Sequence, residues 1–225
     1  MPEKEKNFVQ VRAGAVTLEG ELAGTAAAEG VIVFAHGSGS GRFSPRNQYV
    51  AGVLRQRGFA TLLVDLLTEP EEFVDVRTAE FRFDIGFLAE RLMGASEWLE
   101  QQPETRGLGI GYFGASTGAA AALIAAAARP QTTKAVVSRG GRPDLAGTAL
   151  ARVQAPTLLI VGGDDVPVIA LNRDAMRQLR CEYRLEIVSK ATHLFEEPGA
   201  LENVAELACD WFKQYLAGAA AQPQR

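Results

Sequence analysis

The stretch Leu108-Gly-Ile-Gly-Tyr-Phe-Gly114-Ala-Ser116-Thr-Gly118, followed at once by Ala119-Ala-Ala-Ala-Leu-Ile-Ala-Ala-Ala-Ala128, decides how this chain folds. Its first part is a short run of apolar and small residues of the kind that suits a strand covered on both faces, and it predicts a strand from Leu108 to Phe113. Its second part predicts a helix from Thr117 to Ala128, stopped by Arg129-Pro130, whose small side chains let it lie very close to a sheet. Between the two stands Gly-Ala-Ser-Thr-Gly, a G-x-S-x-G match at a strand-to-helix turn. Such a turn holds its serine in a strained conformation. The positions two before and two after must then be small to clear the neighbouring backbone. Gly114 and Gly118 fill both.

The same alternation continues on either side. Upstream, Phe8 to Leu22 alternates loosely around Gly14 and predicts an edge hairpin, Val31 to Ala35 a buried strand, Pro45 to Gln56 a helix and Ala60 to Asp65 a strand. An acidic loop is expected from Thr68 to Asp75 and a long helix from about Glu80 to Gln102, closed by Pro103. Downstream come strands at Ala135 to Ser138, Thr157 to Val161 and Tyr183 to Val188, with helices at Ile169 to Leu179 and Leu201 to Leu216. Strands alternating with helices imply one α/β domain with a mostly parallel sheet and helices on both faces. Residues 1–7 and 217–225 are expected to be frayed ends.

Composition narrows the function. The chain has 225 residues, enough for one substantial core, and a net charge of −4, with no basic run to neutralise a phosphate backbone. A nucleic-acid partner is not expected. The start carries charges of both signs with no apolar stretch after them, and the longest apolar block is about half a bilayer span. Neither a secretory signal nor a membrane span is expected, and the default setting is cytoplasmic. Two cysteines, Cys181 and Cys209, stand far apart and away from histidine, so neither a disulfide framework nor a metal site is expected.

A serine hydroxyl is a weak nucleophile at neutral pH and needs a base within reach. The chain has two histidines, His36 and His193. His36 precedes Ser116 and ends the first parallel strand, whereas His193 follows the last strand, and the order serine, acid, histidine selects His193. The acid should follow the strand Thr157 to Val161, where Gly162-Gly-Asp-Asp supplies Asp164 and Asp165. We take Asp165, leaving Asp164 or a helix-capping role as the other reading. Two backbone N–H groups should face the developing oxyanion: that of Thr117, at a helix N-terminus, and one from the glycine-rich loop His36 to Gly41, for which we take Ser38. That loop lacks the lysine of a phosphate-binding P-loop.

Together the Gly-Ala-Ser-Thr-Gly elbow, the His36-Gly loop, Gly-Gly-Asp-Asp before a helix and the late Ala-Thr-His resemble the dienelactone hydrolase-related branch of the α/β-hydrolases, over roughly Val31 to Leu216. The resemblance implies an α/β-hydrolase fold, Ser116, Asp165 and His193 as the triad, and Ser38 and Thr117 as oxyanion donors; no cofactor is expected. In two places the chain departs from the family pattern. True dienelactone hydrolases use a cysteine where this chain has Ser116, and they carry a glutamate in the loop where residues 37–47 hold no acid. Hydrolysis of a small carboxylic ester is therefore the expectation, and lactone specificity is not carried over.

Around the site, Arg42, Arg46, Arg139 and Arg142 are expected on loops at the carboxyl ends of strands, where Arg42, Arg46 and Arg139 could favour an anionic substrate. Glu69, Glu71 and Glu72 are read as solvated loop charges that could pair with them. The segment Arg139 to Gln154 is too short for a lipase-type lid, so a shallow pocket is expected. Two other readings stay open. The same triad could pass its acyl group to an alcohol or a peroxide, or the fold could bind a ligand without turnover.

Overall fold

A computed structural model describes residues 6–216. The strands are β1 (Lys6–Ala13), β2 (Val16–Ala23), β3 (Val31–Ala35), β4 (Ala60–Val64), β5 (Ile110–Ala115), β6 (Thr133–Arg139), β7 (Thr157–Gly162) and β8 (Tyr183–Val188). The helices are α1 (Pro45–Gln56), α2 (Glu69–Thr78), α3 (Ile85–Gln101), α4 (Thr117–Ala128), α5 (Val166–Met176) and α6 (Ala200–Leu216), with a 3-10 segment at Pro143–Arg152. All eight strands join one sheet in the order β1-β2-β4-β3-β5-β6-β7-β8. The β1/β2 and β2/β4 pairs are antiparallel and the others parallel. This is the mostly parallel sheet that the alternating pattern implies, in the α/β-hydrolase arrangement that the resemblance implies.

The continuous apolar runs explain the parallel part. Every residue of β3, β4, β5 and β7 is buried, which requires helices on both faces. On one face α3 and α4 pack Leu88, Leu92 and the alanines 120–122 against Val33, Leu62 and Tyr112. On the other, α1 and α6 pack Leu54, Val204 and Phe212 against Ile32, Phe113 and Val137. Phe212 is fully buried, and truncating such a ring to alanine costs about 3–5 kcal/mol.

Strand order also places the site. The chain goes from β3 to β4 on one side and returns past β3 to β5, so β3 and β5 are neighbours whose outgoing loops diverge. A crevice opens at the carboxyl ends of strands at such a switch point.

Several expected elements differ. Thr68 to Asp75 is not a loop: Glu69–Thr78 is helix α2, started by a capping box in which the Thr68 N–H donates to Glu71 Oε2 at 2.8 Å. The long helix begins at Ile85 rather than Glu80, because the Asp84 carboxylate caps it by accepting the Phe87 N–H at 3.0 Å. Helix α5 spans Val166–Met176, beginning and ending about three residues ahead of expectation. Arg139 ends strand β6 instead of lying on a loop, and Arg46 lies in the first turn of α1. Lys6 and Asn7, expected to be frayed, belong to β1. Residues 217–225 lie outside the described residues, among which no helix is long and apolar enough to cross a membrane.

Candidate active site

Ser116 stands between β5 and α4 with φ 51° and ψ −121°. Its N–H donates to the Arg139 carbonyl at 3.2 Å, and its own carbonyl accepts from Arg142 N–H at 3.0 Å and Ala119 N–H at 3.2 Å. The main chain is thus tied to β6, to the segment after it and to α4. The flanking glycines have no room for a side chain: a Cβ on Gly114 would sit 2.8 Å from the Ala119 nitrogen, and one on Gly118 2.5 Å from the His36 carbonyl oxygen. Both clashes are with backbone, which cannot step aside.

Asp165 and His193 arrive from the loops after β7 and β8. These loops interlock: Asp164 N–H donates to the Ala191 carbonyl at 3.0 Å, and a Cβ on Gly162 would lie 2.6 Å from the Thr192 carbonyl oxygen. The result is a 2.7 Å hydrogen bond between His193 Nδ1 and Asp165 Oδ2. An ionised carboxylate can only accept, so the proton is on Nδ1 and Nε2 is left bare to take another. Asp165 occupies the N-cap position of α5 without a capping bond, and its carboxylate is turned to the histidine. Asp164 is exposed. The imidazole lies beside the elbow, since a Cβ on Gly140 would sit 3.5 Å from His193 Cε1 and Gly140 directly follows Arg139, the acceptor of the Ser116 N–H.

The loop after β3 forms the opposite wall, where a Cβ on Gly37 would come within 3.1 Å of Ser116 Cβ. Ser38 and Thr117 meet here in an arrangement that the sequence did not suggest. The Ser38 N–H donates to Thr117 Oγ1 at 3.1 Å, so it already has an acceptor. The Thr117 N–H, first of α4, has no intrahelical acceptor available. His36, set aside as a base, braces this wall. Its Nε2 accepts the Leu66 N–H at 3.0 Å and its Nδ1–H donates to the Gly37 carbonyl at 3.0 Å. Desolvation holds the imidazole below its ordinary pKa, which suits a neutral ring bonded at both nitrogens. No motif signalled this brace, because the Leu66 amide comes from a loop thirty residues away.

The arginines have separate fates. Arg42 is bound to Asp65 through its backbone N–H and its guanidinium, and lies over the Phe43 ring. Arg142 is held by Asp144 at 2.8 Å and Arg46 by Glu196 at 3.0 Å. Glu71 pairs with Arg91 at 2.6 Å rather than with one of these arginines. Of these four, Arg139 alone has no carboxylate partner among the described residues. It is 7% exposed, its Nε and Nη1 lack any hydrogen-bond partner, and burial together with the charge of Arg46 lowers its pKa to about 10.

A cleft of about 1150 Å³ opens beside Ser38, walled by Arg42, Phe43, Arg46 and, from α2, Glu69 and Phe73. It borders the elbow wall without including Ser116 or His193, and it is larger than the shallow pocket expected from the short Arg139 to Gln154 segment. The sequence missed this because it missed α2. Among the described residues no group of three histidine, cysteine or acidic side chains could hold a metal ion.

Sheet order and elbow geometry place the chain among the α/β-hydrolases. Within them it belongs to the Dienelactone hydrolase family, whose sequence profile matches residues 18–217. A dienelactone hydrolase from Anabaena variabilis is 60% identical and superposes with a TM-score of 0.93, covering 95% of this chain and 99% of that one. Est1E from Butyrivibrio proteoclasticus, 14% identical over 92% of this chain and 98% of its own with a TM-score of 0.75, shares the fold. A protein of Mycobacterium tuberculosis strain H37Rv, provisionally named a phosphoribosyl transferase, is 57% identical over 210 residues, which is 93% of this chain and 46% of that protein. The chain therefore spans about half the length of the curated relatives it matches.

Proposed function

We propose that this protein hydrolyses small carboxylic esters through an acyl-enzyme on Ser116. The observation that carries the reading is the 2.7 Å bond from Asp165 to His193, which leaves a bare Nε2 beside the elbow. Ser116 Oγ attacks the ester carbonyl carbon as its proton passes to His193 Nε2. Asp165 stabilises the imidazolium, and the Thr117 N–H at the head of α4 receives the negative oxygen. Ser38 joins as second donor when the Thr117 hydroxyl yields its amide. Collapse expels the alcohol, which takes the proton from His193. Water, deprotonated by the same nitrogen, then attacks the acyl carbon and returns Ser116. The family supports hydrolysis in general. The name of the mycobacterial relatives belongs to a protein about twice this length, and we assign to this chain the chemistry of the half it matches. The test is turnover of p-nitrophenyl acetate and butyrate by wild type and Ser116→Ala. Loss in the variant supports the reading, and equal rates would end it.

A further inference from the structure

We infer that Asn172 is a positioning residue for the oxyanion hole: through residues 140–142 it fixes the peptide unit whose N–H, that of Thr117, receives the negative oxygen. The inference rests on the ester-hydrolase reading and adds a residue to it.

Asn172 lies in α5, distant from Ser116 in sequence, and is fully buried. Its Nδ2 donates to the Gly141 carbonyl at 3.0 Å and to the Val168 carbonyl at 2.8 Å. Two carbonyl acceptors require the NH2 end of the amide at this place, which fixes its orientation. The Oδ1 has no hydrogen-bond partner among the described residues, so what the side chain contributes is its donors.

The Gly141 carbonyl is the middle of a short span held at three points. Gly140 N–H donates to the Ile160 carbonyl of β7 at 2.8 Å, Asn172 holds the next residue, and Arg142 N–H donates to the Ser116 carbonyl at 3.0 Å. Two successive glycines make this span soft in itself. Neither can be exchanged for a stiffer residue: Gly140 has φ 51°, and a Cβ on Gly141 would sit 2.6 Å from Ala119 Cβ. The stiffness therefore comes from outside the span, and Asn172 is the side chain that supplies it.

The Ser116 carbonyl and the Thr117 N–H belong to one trans peptide unit, so they point in opposite directions. Arg142 N–H and Ala119 N–H draw the carbonyl one way, and the Thr117 N–H is thereby aimed the other. Displacing the Gly141 carbonyl displaces Arg142 N–H, and with it the tilt of the oxyanion donor. Such a donor acts as charge develops, and a misaimed one lowers kcat more than it alters KM.

The test uses Asn172→Ala in the full chain. Its kcat for p-nitrophenyl butyrate should fall about tenfold or more, with KM within about twofold and an unchanged pH profile of kcat/KM, because the Asp165–His193 pair is left in place. Amide exchange at Arg142, followed by NMR, should quicken about tenfold while β5 stays protected. Ala175→Gly, at a buried position later in α5, loosens the helix without touching this bond and should keep kcat within about twofold. If Asn172→Ala fails to fold, Asn172→Ser takes its place, since its hydroxyl can still reach the carbonyl four residues back and is too short for Gly141. An unchanged kcat, an equal loss in Ala175→Gly, or a shifted pH profile, which would place the effect in the triad, overturns the inference. Wild type that leaves p-nitrophenyl esters intact would end the ester reading alone, and Arg142 exchange would then decide whether Asn172 holds this peptide.

Discussion

Asp165 occupies the N-cap of α5, but its side chain makes no bond to that helix; the carboxylate accepts the His193 Nδ1–H at 2.7 Å instead. The helix therefore does not depend on this side chain, and the histidine does. Asp165→Asn should lower kcat/KM for p-nitrophenyl butyrate by about a thousandfold or more, through the wrong tautomer on His193, and change the melting temperature little. Asp164→Asn, at an exposed position, should change both little. Parallel kinetics and thermal melts of the two variants check this, and a reversed ranking would move the acid to Asp164.

Gly118 and Gly107 make a controlled pair. A Cβ on Gly118 meets the His36 carbonyl oxygen at 2.5 Å, whereas one on Gly107 meets nothing within 4 Å and suffers only from its φ of 86°. Gly118→Ala should cost about 3 kcal/mol or prevent folding, and Gly107→Ala about 1 kcal/mol. Urea unfolding of both decides it.

His36 gives a pH dependence whose sign can be worked out. Burial lowers its folded pKa below the ordinary 6.5, so below that pH the unfolded chain binds a proton that the folded chain refuses. Stability is then complete above pH 6.5 and is lost as pH falls toward the folded value, by at most about 1.4 kcal/mol at pH 5.5. Since the chain has only two histidines, melts of His193→Gln between pH 7.5 and 5.5 isolate the effect. Adding His36→Asn should flatten the slope, and a slope that survives would assign it elsewhere.

Helix α2 is tied to its surroundings by the Asp75 carboxylate as well as by the Glu71–Arg91 pair. Asp75 is its single buried residue and accepts from Phe81 N–H at 2.8 Å, Arg82 N–H at 2.9 Å and Arg82 Nε at 2.6 Å. Desolvation pushes this carboxyl up, but the Arg82 and Phe81 hydrogen bonds outweigh it and hold the pKa below its usual value. Its contribution is present above pH 3.8 and is lost as pH falls further. Asp75→Ala should speed amide hydrogen exchange across residues 68–84, with a local cost of about 3 kcal/mol, while β5 and α4 stay protected. Uniform acceleration over the whole chain would contradict this.

Much of this was legible because buried parallel strands are written as unbroken apolar runs and an elbow requires glycine on both sides. Val31 to Ala35, Thr157 to Val161 and the turn at Ser116 could be read for that reason. Helix α2 could not, because Phe73, Val74 and Val76 are exposed and leave no apolar stripe, although Thr68 with Glu71 carried the capping signal. The histidine bracing at His36 and the isolation of Arg139 depend on which segments meet in space. An arginine has the same letter whether its partner is Asp65, Glu196 or nothing.

At Ser116 the backbone sits at φ 51° and ψ −121°, a conformation that costs a residue with a side chain about 1–3 kcal/mol. Glycine would adopt it with less penalty, so the inert Ser116→Gly chain is expected to withstand more denaturant than the working one. The hydroxyl proposed to attack the ester is thus carried at a cost in stability.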